Sequence, residues 1–164
     1  MGITKQKRIL LIALGVLIVW QVGTYLLFAS SSITRIAPHL TPEHTHFVRG
    51  TTFSWVWLKT DQCQNLTATQ LTDLRSLFTR RYDRVYGDEA DIPERRISRD
   101  PSGNWLKYED GFAFNFGVVS RGPFWVRVSH ADKVGNMAAS LGEHVYVWVL
   151  GFWVWVYDGP QYVS

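Results

Sequence analysis

Between Arg8 and Arg35 the chain carries no charged residue, and Ile9 to Ala29, ILLIALGVLIVWQVGTYLLFA, is overwhelmingly aliphatic. A helix over this stretch is about 31 Å long at about 1.5 Å per residue, close to the roughly 30 Å of a bilayer's hydrocarbon. The stretch reads as a transmembrane helix, so the rest of the chain must fold as one body on one side of a membrane. Lys5, Lys7 and Arg8 precede the span and only Arg35 follows it closely. That bias predicts a cytoplasmic tail at 1–8, a span at 9–29 and an extracytoplasmic remainder, in a single-pass protein of the cell membrane. In a Gram-negative source the domain would be periplasmic. The rival reading is a cleaved signal peptide, because Ala29, Ser30 and Ser31 are small enough for a cleavage site. A signal's apolar core runs only about 7–15 residues, whereas this one continues through Trp20 and Tyr25 to Phe28, which favours a retained signal-anchor. Gln21 and Thr24 are polar residues inside the span that could hydrogen-bond to a neighbouring helix.

Residues 30–45 contain serines, threonines, Pro38 and Pro42 without a sustained hydrophobic period and read as a connector. Residues 46–164 suit one domain with one core. The net charge of +3 does not indicate a nucleic-acid binder. Three of the 17 basic residues belong to the N-terminal tail, and the 14 that follow the span balance 14 acidic residues there, so the electrostatic footprint of such a protein is missing. Cys63 is the only cysteine, and the domain must hold by packing rather than by an internal disulfide.

The pattern after the connector predicts an α+β fold. Thr51 to Lys59 alternates as a first strand, with Phe53, Trp55 and Trp57 on one face. Thr67 and Gln70 form a capping box before an apolar stripe of Leu71, Leu74, Phe78, Tyr82 and Val85, which predicts a helix ending near Gly87. Asp88 to Gly103 reads as an exposed connection. Trp105–Glu109 and Phe112–Ser120 read as strands joined by an Asp110-Gly111 hairpin turn, followed by a third at Phe124–His130. His144 to Tyr157, HVYVWVLGFWVWVY, reads as one long strand with a bulge at Gly151 that sorts aromatic from aliphatic side chains. The sum is one helix on a curved antiparallel sheet of about five strands, in the order β-α-β-β-β-β. This order resembles cystatin-like folds in topology alone, since no inhibitor-type QxVxG segment is present and topology does not fix function.

Two groups of residues are candidates for function. The aromatic face of the last strand, Tyr146, Trp148, Trp153, Trp155 and Tyr157, is either core beneath the helix or a face for a protein partner, because Trp and Tyr combine large area with a polar tip. His130, Asp132, Glu143 and His144 stand at the ends of two predicted neighbouring strands, where imidazoles and carboxylates could share a divalent metal, although no HExxH or CxxC spacing accompanies them. Glu43, His44 and His46 form a weaker cluster of the same kind. No GxSxG, P-loop or dinucleotide fingerprint occurs, so no cofactor is implied. The expected function is a membrane-anchored extracytoplasmic binding or assembly module without catalytic residues. The alternative is a small metal-dependent enzyme centred on His130 and His144.

Overall fold

The computed structural model describes residues 5–42, 52–99, 101–102, 106–135 and 138–163. The Glu43, His44 and His46 cluster lies outside them. The N-terminal helix is continuous from Lys5 to Leu40 and is long and apolar enough to cross a membrane. It is α-helical over Lys5–Thr24, widens to a π-helix over Tyr25–Ala29, returns to α at Ser30–Ser32 and tightens to a 3₁₀-helix over Ile33–Leu40. Up to Trp20 its described side chains are exposed all round. Beyond that point one side is covered, with Thr24, Ala29, Ser32, Ile33, Ile36, Ala37 and Leu40 buried.

Much of the stretch expected to be a connector is therefore helix seated in the core. Ile33, Ile36, Ala37 and Leu40 recur at helical spacing and form a stripe that packs with Leu74 and Phe78. Pro38 disguises it: without an N–H the α ladder cannot close there, and the segment winds in the tighter form instead.

The remainder is a mixed sheet of eight strands, not an antiparallel sheet of about five: β1 (Trp55–Leu58), β2 (Arg84–Tyr86), β3 (Ile97–Arg99), β4 (Leu106–Tyr108), β5 (Gly111–Gly122), β6 (Trp125–Gly135), β7 (Ala138–Val149) and β8 (Phe152–Val163). The spatial order is β2-β1-β5-β6-β4-β3, with β7 on β6 and β8 on β7. β1 runs parallel to both β2 and β5. A parallel pair needs a crossover, and the helix Ala68–Thr79 supplies it between β1 and β2. Its start is as expected: Thr67 Oγ1 accepts from Gln70 N, and the Gln70 side chain accepts from Thr67 N. Its end is earlier than expected, at Thr79, because Arg84–Tyr86 leaves to pair with Trp55–Trp57.

As an interior strand β1 is buried on both faces, which is why its sequence does not alternate in polarity. Val56 and Leu58 join the main core, while Trp55 packs edge-on against Tyr86 and Tyr108 on the other side. Gly111 pairs with Trp55, and a Cβ there would collide with the indole. Asp110 turns the chain with φ +55°, but β4 pairs with β3 and meets β6 only at Lys107–Gly135, so the expected β4–β5 hairpin does not form.

The His144–Tyr157 run is not one strand. It folds at Leu150-Gly151 into the β7–β8 hairpin, with φ +50° and +108° at the two turn residues. Two consecutive positive φ values suit the right-handed twist of the flanking strands. The hairpin adds an edge strand, and the parallel pairing of β1 with β2 and β5 makes the sheet mixed; together these depart from the cystatin-like order.

Candidate functional site

The β7–β8 hairpin places four of the five candidate aromatic residues in two facing pairs: Trp148 opposite Trp153 and Tyr146 opposite Trp155. Trp148 and Trp153 do share a face, as a bulge at Gly151 would require, but the hairpin achieves it. Their rings meet edge-on with centroids 5.2 Å apart. The register slips between Val145 and Tyr146, so Tyr157 stands opposite Val145. Burial then divides the five. Tyr146 and Trp148 are core, the latter only 1% exposed. Trp153 is half-buried against that core. Trp155 and Tyr157 are 55% and 62% exposed. Burial and the nearby charge of Asp158 push the Tyr146 hydroxyl up to about 12, so it stays neutral.

What covers the inner end of the hairpin is the N-terminal helix. Gln21 reaches across with both ends of its amide: Nε2 donates to the Trp148 carbonyl, and Oε1 accepts from Leu150 N at 2.6 Å. Trp148 Nε1 donates to Thr24 Oγ1 at 3.2 Å, and Trp153 Nε1 donates to the Ala29 carbonyl at 3.3 Å. The acceptor at Ala29 belongs to the π-helical turn, where the wider winding leaves carbonyls off the regular ladder. The Tyr25 ring packs at a tilt against Phe124, with centroids 4.6 Å apart, and its hydroxyl donates to the Gly122 carbonyl beside the β5–β6 turn. The polar residues of the apolar span are thus partners for two β-turns rather than for another helix.

On the same sheet face, farther from the turns, a second constellation assembles. His130 on β6 and His144 on β7 stack with ring centroids 5.0 Å apart, and His130 Nδ1 lies 3.2 Å from His144 Nε2. His144 Nδ1 is hydrogen-bonded to Asp158 on β8. Ser140 donates to Asp132 Oδ1, and that oxygen lies 3.4 Å from His130 Nε2. This last contact is at ion-pair distance but lacks hydrogen-bond alignment, so Nε2 of the buried His130 has no hydrogen-bond partner. The five groups form a polar line from exposed Asp158 to buried Asp132. Burial, and then the neighbouring His130, hold His144 below the ordinary imidazole value, with Asp158 opposing them. Hydrogen bonds connect the line from Asp158 through His144 to His130 and stop there, because His130 Nε2 is not bonded to Asp132. The line does not activate a nucleophile, because the Ser140 hydroxyl is committed to a carboxylate rather than to an imidazole.

Three of the four residues considered for a metal, His130, Asp132 and His144, are brought together. Glu143 points to the opposite face and pairs with Arg127 at 3.4 Å. The two imidazoles direct nitrogens at each other rather than at a common point. Among the described residues no group of three or more His, Cys, Asp or Glu has the arrangement to hold a metal ion. Sequence reasoning missed Asp158 and Ser140, which depend on the hairpin and on the β6–β7 register. A cleft of about 460 Å³ opens beside Asp132 and Ser140, rimmed by Lys59, Lys133 and Tyr162. Cys63 is half-buried at the edge of the core, with burial raising its thiol pKa.

Fold and site together define a class by architecture: an α+β domain built directly onto a helix that is long and apolar enough to cross a membrane. Compared with known proteins, the chain matches no family model, no curated protein and no solved structure.

Proposed function

We propose that the chain is a single-pass membrane protein whose domain lies outside the cytoplasm and serves as a non-catalytic binding or assembly module, with β8 as its docking strand. The observation that carries this reading is the state of β8. Its 12 residues pair with β7 alone, and Phe152, Val154, Trp155, Val156, Tyr157 and Tyr162 are exposed along it. A long apolar edge strand is a template for another strand, and soluble proteins usually blunt such edges. Here only the distal part is blunted, by Asp158 and by Pro160, which has no N–H to donate. The partner that fits is a protein contributing an extended segment, held by backbone hydrogen bonds and by the aromatic side chains. The positive charges at Lys5, Lys7 and Arg8 support the orientation.

Capture of partners from membranes carrying the full chain tests the docking strand. Replacing Trp155 and Tyr157 together by Lys should abolish capture while leaving the unfolding midpoint unchanged, since both side chains are exposed. Undiminished capture would remove β8 as the docking strand. A reporter fused after Ser164 should be active only outside the cytoplasm, and cytoplasmic activity would overturn the orientation.

A further inference from the structure

We infer that the tip of the β7–β8 hairpin, with the β5–β6 turn beside it, is immersed in the outer leaflet of the same bilayer that the N-terminal helix crosses. The inference rests on the reading of that helix as a membrane span and goes beyond it by giving the domain a second, β-structured membrane contact. The argument is one of depth. A helix that enters the hydrocarbon after Arg8 needs about 20 apolar residues to cross it, which puts its outer end near Phe28. Gln21 lies about 10 Å short of that end at the α-helical rise, and it is to Gln21 that the hairpin tip is hydrogen-bonded. A tip held at that level cannot be in water unless the span is too short to cross.

The helix surface supports the same depth. Leu26, Leu27 and Phe28 remain exposed and apolar on the side away from the sheet, 74%, 73% and 55% accessible, while Thr24 and Ala29 face the sheet. Part of what a β-turn needs to lie in hydrocarbon, where an unpaired backbone group is costly, is in place. The Leu150 N–H and the Trp148 carbonyl are taken by Gln21, the Trp148 N–H by the Phe124 carbonyl at 2.7 Å, and the Gly122 carbonyl by Tyr25. In water these groups would need no protein partner. The side chains turned outward at the tip, Val149, Leu150 and Phe152, are all apolar, and Phe152 is 74% exposed. Leu150 occupies a turn position with φ +50° where Asn or Asp would be the usual choice for an aqueous hairpin. Between tip and helix runs an apolar groove flanked by Leu17, Ile18, Val22, Val149 and Leu150, a fit for a lipid acyl chain.

The test uses the full chain with Cys63→Ser, reconstituted into vesicles of phosphatidylcholine and phosphatidylglycerol that contain lipid bearing a nitroxide in mid-chain. A fluorophore is attached to one introduced cysteine at a time: Val19→Cys in the span, Phe152→Cys at the tip, and Ala90→Cys on an exposed surface. The expected result is quenching at 152 comparable with that at 19 and far above that at 90. Adding Gln21→Leu should lower quenching at 152 toward the level at 90 while leaving 19 unchanged, because the turn's polar groups then lose their partner. Quenching at 19 without quenching at 152 overturns the immersed hairpin and leaves the anchor standing. No quenching at 19 overturns both. A probe at 152 shielded from the nitroxide and from aqueous iodide alike assigns the tip to a second copy of the chain and also overturns the inference.

Discussion

Two tryptophans that a sequence pattern places on one face have opposite energetic roles. Trp148 is fully enclosed, with its indole N–H on Thr24 and its ring edge-on to Trp153, whereas Trp155 is largely exposed. Trp148→Ala should lower the unfolding free energy by about 3–5 kcal/mol through the cavity it leaves. Trp155→Ala should stay within about 0.5 kcal/mol of the wild type. Urea unfolding of the full chain in detergent micelles measures both, and equal losses would contradict the division of the face. His144 gives a pH signature with a definite sign. Its folded-state pKa lies below the ordinary 6.5, so as pH falls through that value the unfolded chain binds the proton first. Stability should therefore decline from just above pH 6.5 down to the lowered folded value and level off below it. His144→Asn should flatten that part of the profile, and an unchanged slope would remove His144 as its cause. At this scale the shared face of Trp148 and Trp153 was legible in the sequence, and so was the nearness of His130 to His144. Their burial, and the parts played by Gln21, Ser140 and Asp158, were not, because each depends on contacts between residues far apart in the chain.

Elements were legible where a local signal fixes a boundary and obscure where tertiary pairing does. The capping box at Thr67 and Gln70 names the start of the short helix, and Thr67→Ala should cost about 1 kcal/mol by releasing the Gln70 N–H. The end of the same helix is set by the pairing of Arg84–Tyr86 with β1, which no local rule contains. The segment Ile33–Leu40 shows a third case, in which an apolar stripe of helical period was present and Pro38 drew the reading toward a loop. The β7–β8 hairpin is the most instructive, since Leu-Gly is a poor hairpin signal and an unbroken apolar run suggests one strand. The clue was mirror symmetry, with valines and aromatics alternating outward in both directions from Leu150-Gly151 apart from Phe152, which stands where the mirror has Val149. Gly151 carries the turn at φ +108°, a region closed to other residues without strain. Gly151→Ala should destabilise the chain by about 1 kcal/mol or more, whereas Gly15→Ala, at an open helical site, should be neutral or stabilise it by up to about 1 kcal/mol. Equal effects in urea unfolding would mean that the turn relaxes at no cost.

For the whole molecule, the decisive relation is that the apolar helix and the domain share a core, so the N-terminal segment is a structural part of the fold as well as a candidate anchor. A chain starting at Ser30, which is what signal-peptide cleavage would leave, keeps Ile33, Ile36 and Leu40 in the core and the Gln70 bond to the Ser30 carbonyl. It loses Gln21, Thr24 and Tyr25. The Leu150 N–H and the indole N–H of Trp148 then lose their partners, and the rings of Trp148 and Phe124 lose their cover. Water can take over the freed donors, but each large ring that loses its cover forfeits up to about 1.5–3 kcal/mol of burial, a large share of a domain's net stability of about 5–15 kcal/mol. The uncovered aromatic rings add an apolar patch that favours self-association. The chain from Ser30 should accordingly unfold at a lower urea concentration than the full chain in the same detergent and should associate as its concentration rises. Gln21→Ala in the full chain should reproduce part of the stability loss without the association, because Thr24 and Tyr25 still cover the rings. If the shortened chain matched the full chain in both midpoint and solution size, the helix would be dispensable to the domain, and its contacts with the hairpin would no longer argue for an anchor that stays in place.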